Sequence, residues 1–181
     1  MPVKVVAVFG SSLTAHDTPE WEEAERVGRR CAEAGLTVLT GGYGGSMEAI
    51  CKGAADADGH TIGVTAPDLF HGRGSANPYV AEVIEATDLP NRLGIITHLA
   101  DGAIVLPGSI GTATELVLAW NINHIVRRNG GIRLPVVAVG VAWRQVIGAL
   151  SDVIHANPAD VHVTATADDA VDWLLSQPEI R

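Results

Sequence analysis

The chain has 181 residues, enough for one domain with a sizeable core, and its 47% apolar and 18% charged content excludes a disordered protein. A formal net charge of −9 argues against nucleic acid or an anionic membrane as the main partner. Any anion site must therefore be local, built from backbone N–H groups and one or two arginines.

Val3 to Phe9 is a near-continuous apolar run, the pattern of a strand buried on both faces, and Gly10-Ser11-Ser12 ends it in a turn of small residues. Pro19 to Ala34 reads as a helix, with Trp21, Ala24, Val27, Cys31 and Ala34 on one face. Thr18 before Pro19 supplies an N-cap, and Gly35 a C-terminal stop. Leu36 to Thr40 is a second strand. A turn with glycine at 41, 42, 44 and 45 follows, then Ser46, Met47 and Glu48, and a helix over Ala49 to Ala57. Thr61 to Thr65 is a third strand. The stretch Ala66 to Pro78, rich in Gly, Pro and His, is too long for a simple connector and reads as a lid or as a surface excursion.

Val80 to Ala86 has the composition of a short strand, and Leu89 to Ala100 reads as a helix with Pro90 near its start. Gly102 to Leu106 is a strand, and Pro107-Gly-Ser-Ile-Gly-Thr-Ala-Thr-Glu115 follows it directly. Leu116 to Val126 is apolar at helical spacing, so Gly108, Ser109, Gly111 and Thr112 fall on a strand-to-helix turn, with Glu115 expected in the first helical turn. Leu134 to Val139 is a strand, Trp143 to Leu150 a helix, Val161 to Thr164 a last strand and Ala167 to Ser176 a closing helix.

Alternating strands and helices predict an α/β fold: a doubly wound, mostly parallel sheet with helices on both faces, residues 1–181 forming a single domain. Ligands of such sheets bind at the carboxyl ends of strands. The turns at Gly10 to Ser12, Gly41 to Gly45 and Gly108 to Gly111 all follow strands, so all three are expected on one edge. Glycines there admit a ligand close to the backbone, and helix N-termini attract anions, which points to a phosphate or nucleotide site. An ordinary βα turn capped by Thr112 has the same local pattern.

Two side chains near that edge carry chemistry. Arg92, at the start of its helix, can grip a phosphate or carboxylate or pair with Glu115, or can be a surface arginine. Glu115 can bond ribose hydroxyls or support an oxocarbenium-like centre, or can simply complement the helix dipole. Asp101 reads as a turn-fixing residue. His60, His71, His98, His124, His155 and His162 lack ligand spacing, and no metal site is expected. Cys31 and Cys51 read as buried thiols rather than a disulfide. There is no G-x-S-x-G elbow, no P-loop lysine after Gly42 to Gly45, and no G-x-G-x-x-G after the first strand. Met1 leads straight into a strand with no signal-peptide pattern, and no apolar run reaches membrane-spanning length, so a cytoplasmic protein is expected.

The run Pro107 to Glu115 resembles the P-G-G-x-G-T-x-x-E signature of the LOG family, the cytokinin riboside 5′-monophosphate phosphoribohydrolases long mislabelled "lysine decarboxylases". Val8-Phe-Gly-Ser-Ser12 is similar to that family's first turn, and Gly41-Gly-Tyr-Gly-Gly-Ser-Met47 to its second. Arg92 stands nine residues before Asp101, as the family's arginine stands before its D-A-x-x-x-L-P-G aspartate. The likeness covers roughly Val3 to Val139. It implies a Rossmann-like phosphoribohydrolase that cleaves the N-glycosidic bond of a nucleoside 5′-monophosphate, AMP or a cytokinin riboside monophosphate, to free base and ribose 5-phosphate. It implies Arg92 and Glu115 as the catalytic pair. The binding residues it implies are Gly10, Ser11, Ser12, Gly41, Gly42, Gly44, Gly45, Met47, Pro107, Gly108, Ser109, Ile110, Gly111 and Thr112. It implies no cofactor, and a homodimer with the helix after Glu115 at the interface. A non-catalytic nucleotide or molybdenum-cofactor carrier is the alternative. The sequence departs from the signature at Ser109, at Thr114, at Glu48 and around the arginine, in Leu89-Pro-Asn-Arg-Leu93. The scarcity of lysine (only Lys4 and Lys52) argues against a decarboxylase.

Overall fold

The computed structural model describes residues 4–69, 74–178 and 180. The strands are β1 (Val5–Phe9), β2 (Thr37–Thr40), β3 (Thr61–Thr65), β4 (Glu82–Glu85), β5 (Gly102–Val105), β6 (Val136–Val139) and β7 (His162–Thr164). The helices are α1 (Pro19–Glu33), α2 (Ser46–Ala55), α3 (Leu89–Leu99), α4 (Ile110–Arg128), α5 (Val141–Ile154) and α6 (Ala167–Ser176). The strands form one sheet in the order β4-β3-β2-β1-β5-β6-β7, and every pairing among the described residues is parallel.

That order follows from the chain path. The chain steps outward from β1 to β4, returns through α3 to place β5 beside β1, then steps outward the other way. Val6 pairs with Val38 of β2 and Val8 with Ile104 of β5. Direction therefore reverses at β1, which opens a crevice at the carboxyl ends of β1 and β5. The expected Rossmann-like α/β class is observed, with a sheet parallel throughout the described residues.

Strand side chains alternate between two cores. Val6, Val8, Val38, Ile104 and Val137 pack under α1, α2 and α6; Ala7, Phe9, Leu39, Val64, Val105 and Ala138 pack under α3, α4 and α5. Burying both faces explains why these strands read as continuous apolar runs. Edge strand β4 differs: Glu82 and Glu85 face solvent, charges that discourage pairing with another sheet. Thr18 caps α1 by accepting from the Trp21 N–H at 3.2 Å, and Gly35 follows it with φ +79°. Asp88 caps α3 through the Asn91 N–H at 2.7 Å. Cys31 and Cys51 are buried and free. Among the described residues no helix is long and apolar enough to cross a membrane.

Several boundaries shift. α2 begins at Ser46 rather than Ala49, α5 runs from Val141 to Ile154, and a 3-10 turn at Pro158–Asp160 precedes β7. α4 begins at Ile110, so Glu115 lies in its second turn rather than its first. Thr112 does not cap this helix: Ser109 holds the N-cap position, while the Thr112 hydroxyl donates to the Gly10 carbonyl at 3.0 Å. The G-T pair, Gly111 and Thr112, lies inside α4, and Leu106 to Gly108 make the connection from β5. In the 66–78 stretch the stems are described; residues 70–73, including His71, lie outside the described residues.

Candidate active site

The three glycine-rich turns do meet at one edge, tied to each other by hydrogen bonds. Gly10 accepts from Thr112 of the third turn, and the Ser11 carbonyl accepts from the Ser46 N–H of the second at 2.8 Å. The Thr14 and Ser46 hydroxyls share a further bond at 2.7 Å. Gly45 permits this crossing. It has φ +70°, and a Cβ there would press on the backbone of Ser11 and Ser12.

Between the turns lies a cavity of about 290 Å³, lined by Gly10, Ser12, Gly41, Met47, Arg92, Ser109, Ile110, Gly111, Thr112 and Glu115. These are ten of the residues named from sequence. Val8, Phe9, Leu89, Leu93 and Thr114 line it too and were not named. Leu89 and Leu93 carried a signal, since they flank Arg92 on its helix; Val8, Phe9 and Thr114 carried none beyond adjacency to the motifs. Ser11, Pro107 and Gly108 instead line a neighbouring recess of about 500 Å³, which shares Ser109 with the cavity. Gly42, Gly44 and Gly45 line neither and shape the second turn from behind.

Arg92 is not a surface residue: only 6% of it is exposed. Its Nε donates to the Val64 carbonyl at 2.7 Å and its Nη2 to the Gly41 carbonyl at 3.1 Å. Its Nη1 lies 4.0 Å from Glu115 Oε1. The guanidinium also sits over the Tyr43 ring, 5.9 Å from its centroid. Gly41 makes this seat possible, because a Cβ there would collide with Arg92 Nη2. Asp101 has the structural role expected of it, accepting from the Val5 N–H at 2.9 Å.

Glu115 is mostly buried, and that burial pushes its carboxyl up to about 7, while the positive charge of Arg92 pulls it down. The group therefore exchanges its proton near neutrality. One turn before it on the same helix, α4 begins with N–H groups that no helix carbonyl reaches, and the Ser109 side chain makes no capping bond. The remaining lining is mixed: Phe9, Met47, Leu89 and Leu93 are apolar, and Ser12 and Thr114 add hydroxyls. One cavity thus combines an anion-attracting helix end, a carboxyl beside a guanidinium, and a greasy flank. Among the described residues no group of three metal-ligating side chains occurs, and none of the described histidines named from sequence lines the cavity.

The profile of the SLOG cluster4 family matches residues 3–128. Over 128 residues the chain is 36% identical to the pyrimidine/purine nucleotide 5′-monophosphate nucleosidase of Escherichia coli K12, a match that takes in 67% of this chain and 27% of that protein. The chain thus spans about a quarter of the length of that relative. It is 29% identical over 176 residues to the cytokinin riboside 5′-monophosphate phosphoribohydrolase of Mycobacterium tuberculosis H37Rv, covering 93% of this chain and 90% of the other. Among solved structures, the molybdenum cofactor binding protein of Rippkaea orientalis superposes with a TM-score of 0.74 at 23% identity, over 97% of this chain and 98% of that one, a likeness of fold.

Proposed function

The chain belongs to the SLOG cluster4 family of LOG-type proteins, and from that premise we propose that it is a phosphoribohydrolase acting on purine-type nucleoside 5′-monophosphates, AMP or a cytokinin riboside monophosphate. The observation that carries this reading is the Arg92–Glu115 pair, 4.0 Å apart in a cavity that the uncapped N-terminus of α4 also lines. The names of the Escherichia coli and Mycobacterium relatives support it.

In this reading the substrate phosphate takes the N–H groups of Ser109 to Thr112, where the helix dipole favours an anion. The apolar flank of Leu89, Leu93 and Met47 receives the base. Glu115 as carboxylate contacts the ribose and supports the positive charge that develops at C1′ as the glycosidic bond breaks. The base leaves with the bonding electrons and gains a proton; water adds to C1′ and loses one. Arg92 orients Glu115 and keeps a useful share of it ionised at neutral pH. The reaction calls for no cofactor.

We further propose that the protein works as a homodimer. A groove of about 730 Å³ between α4 and α5 exposes apolar surface from Ile110, Val117, Val146 and Ile154 directly beside the cavity. Two free, buried cysteines suit a reducing compartment, so we assign the protein to the cytoplasm.

A product assay tests the hydrolase. Purified protein is incubated with AMP, other nucleoside monophosphates and the N6-isopentenyl analogue, and free base is followed by chromatography. Base release is expected, reduced about 10²–10³-fold in Glu115→Ala. AMP binding by calorimetry with no base from any substrate would replace the hydrolase with a non-catalytic nucleotide or molybdenum-cofactor carrier.

A further inference from the structure

We infer that Tyr43 is a positioning residue for Arg92, and that Asn77 and Ala66 hold it in place from the two stems of the 66–78 connection. The inference rests on the hydrolase reading of the cavity.

The geometry runs through one turn. Tyr43 is buried, at 3% exposure, and its ring lies against the Arg92 guanidinium. Its hydroxyl accepts from the Ala66 N–H at 2.9 Å, at the start of the connection. Its backbone carbonyl accepts from Asn77 Nδ2 at 2.9 Å, near the end of the connection. Asn77 Nδ2 also reaches the Gly42 carbonyl at 3.2 Å, and the Asn77 N–H donates to that same carbonyl at 2.8 Å. Asn77 Oδ1 accepts from the Tyr79 N–H at 3.1 Å, which fixes the orientation of the amide. The Gly42 N–H in turn donates to Thr40 Oγ1 at 3.1 Å.

The consequence concerns Arg92. The Gly41 carbonyl that takes its Nη2 and the ring that flanks its guanidinium belong to one short segment clamped by both stems. The Val64 carbonyl that takes its Nε lies two residues before Ala66. A guanidinium on a flexible stem is thereby held to one orientation, with Nη1 toward Glu115. Tyrosine fits this position because its face attracts the cation while its hydroxyl ties down the neighbouring chain. Tyr43 does not line the cavity and so acts through Arg92.

The experiment compares Tyr43→Leu, Tyr43→Phe and Asn77→Leu in the full chain, each checked for native circular dichroism. With AMP, Tyr43→Leu is expected to lose about 10²-fold in kcat, the cost of a displaced reacting group, with KM moving far less because the phosphate is held at α4. Arg92 and Glu115 are the charged side chains lining the cavity among the described residues, so displacing Arg92 leaves the Glu115 carboxyl without its cation. The acidic limb of kcat/KM is therefore expected above its wild-type position in Tyr43→Leu and Asn77→Leu, and back near it in Tyr43→Phe, which keeps the ring. Glu115 is also titrated directly by carbon-13 NMR, which needs no turnover. A wild type that releases no base thus fails the hydrolase reading while the titration still decides the positioning one. If Tyr43→Leu is folded and leaves the Glu115 titration unmoved, Tyr43 has no positioning role. If Tyr43→Leu does not fold, the uncharged Asn77→Leu decides in the same way.

Discussion

The second and third glycine-rich turns look alike as sequence, yet they do opposite things in the fold. Each follows a buried strand, each opens a helix, and neither helix has a side-chain cap at its N-terminus. The second turn is closed: Gly41, Gly42, Tyr43, Ser46 and Met47 are buried, and the Ser46 N–H is spent on the Ser11 carbonyl. The third is open: residues 107–111 are exposed, with Ile110 at 83%. A Gly-rich turn before a helix is therefore not in itself an anion site. Only where the first-turn N–H groups face a cavity instead of a neighbouring carbonyl are they open to an anion.

Substitutions at and beneath the two turns put this contrast at risk. The largest expected effect is a stability cost beneath the open turn. Glu115 is held at about 7 against an ordinary 4.5, so its burial costs nothing well below pH 4.5, and the cost grows to its full size above about pH 7. Glu115→Gln removes it. The variant is expected to be more stable than the parent by about 3 kcal/mol at pH 8 and no more stable at pH 4, measured by urea unfolding at both values. An equal change at both pH values would mean that the carboxyl is not strained by burial.

Next comes Gly41→Ala in the closed turn. Its Cβ would occupy the place of Arg92 Nη2, so kcat for AMP is expected to fall about 10²-fold, while circular dichroism shows a folded protein. Wild-type kcat would show that the seat of Arg92 is not needed. In the same assay the parent's kcat/KM should rise with pH and level off above about pH 7, as Glu115 ionises; the limb should be absent in Glu115→Gln.

The smallest effect belongs to Gly111→Ala in the open turn. Nothing lies within 4 Å of a Cβ placed there, so a gain of up to about 1 kcal/mol from helix propensity is expected, read as a raised Tm. The methyl group narrows the end of the cavity proposed for the substrate phosphate, so KM for AMP is expected to rise with little change in kcat. A lowered Tm would show that the open turn is packed more tightly than its surroundings indicate.

Much of this architecture was legible before folding, and for a definite reason. A strand buried on both faces has to be apolar along its length, and a helix on a sheet has to repeat at 3.6 residues. Val5–Phe9, Gly102–Val105 and Val136–Val139 therefore announce themselves, as does α1 with Thr18 and Gly35 at its ends. Alternation of the two patterns implies parallel strands, and parallel strands put all three turns on one edge. Helix starts were read late at α2 and α4 because Gly, Ser and Thr signal a turn, and the local code does not reveal that a turn is already helical.

What the residues by themselves determined, then, is the set of elements, the edge on which they open, and the two side chains most able to do chemistry there. Tertiary structure alone decided the rest. Arg92 and Gly41 are 51 positions apart and touch only because β3 lies beside β2. The burial that holds Glu115 near neutrality comes from the walls around it, and so does the closure of one turn and the opening of another. Periodicity encodes which face of an element is buried; it does not encode against what. Tyr43 and Asn77 gave no sign in sequence because their work is done by backbone carbonyls and one ring face, and every residue supplies a carbonyl.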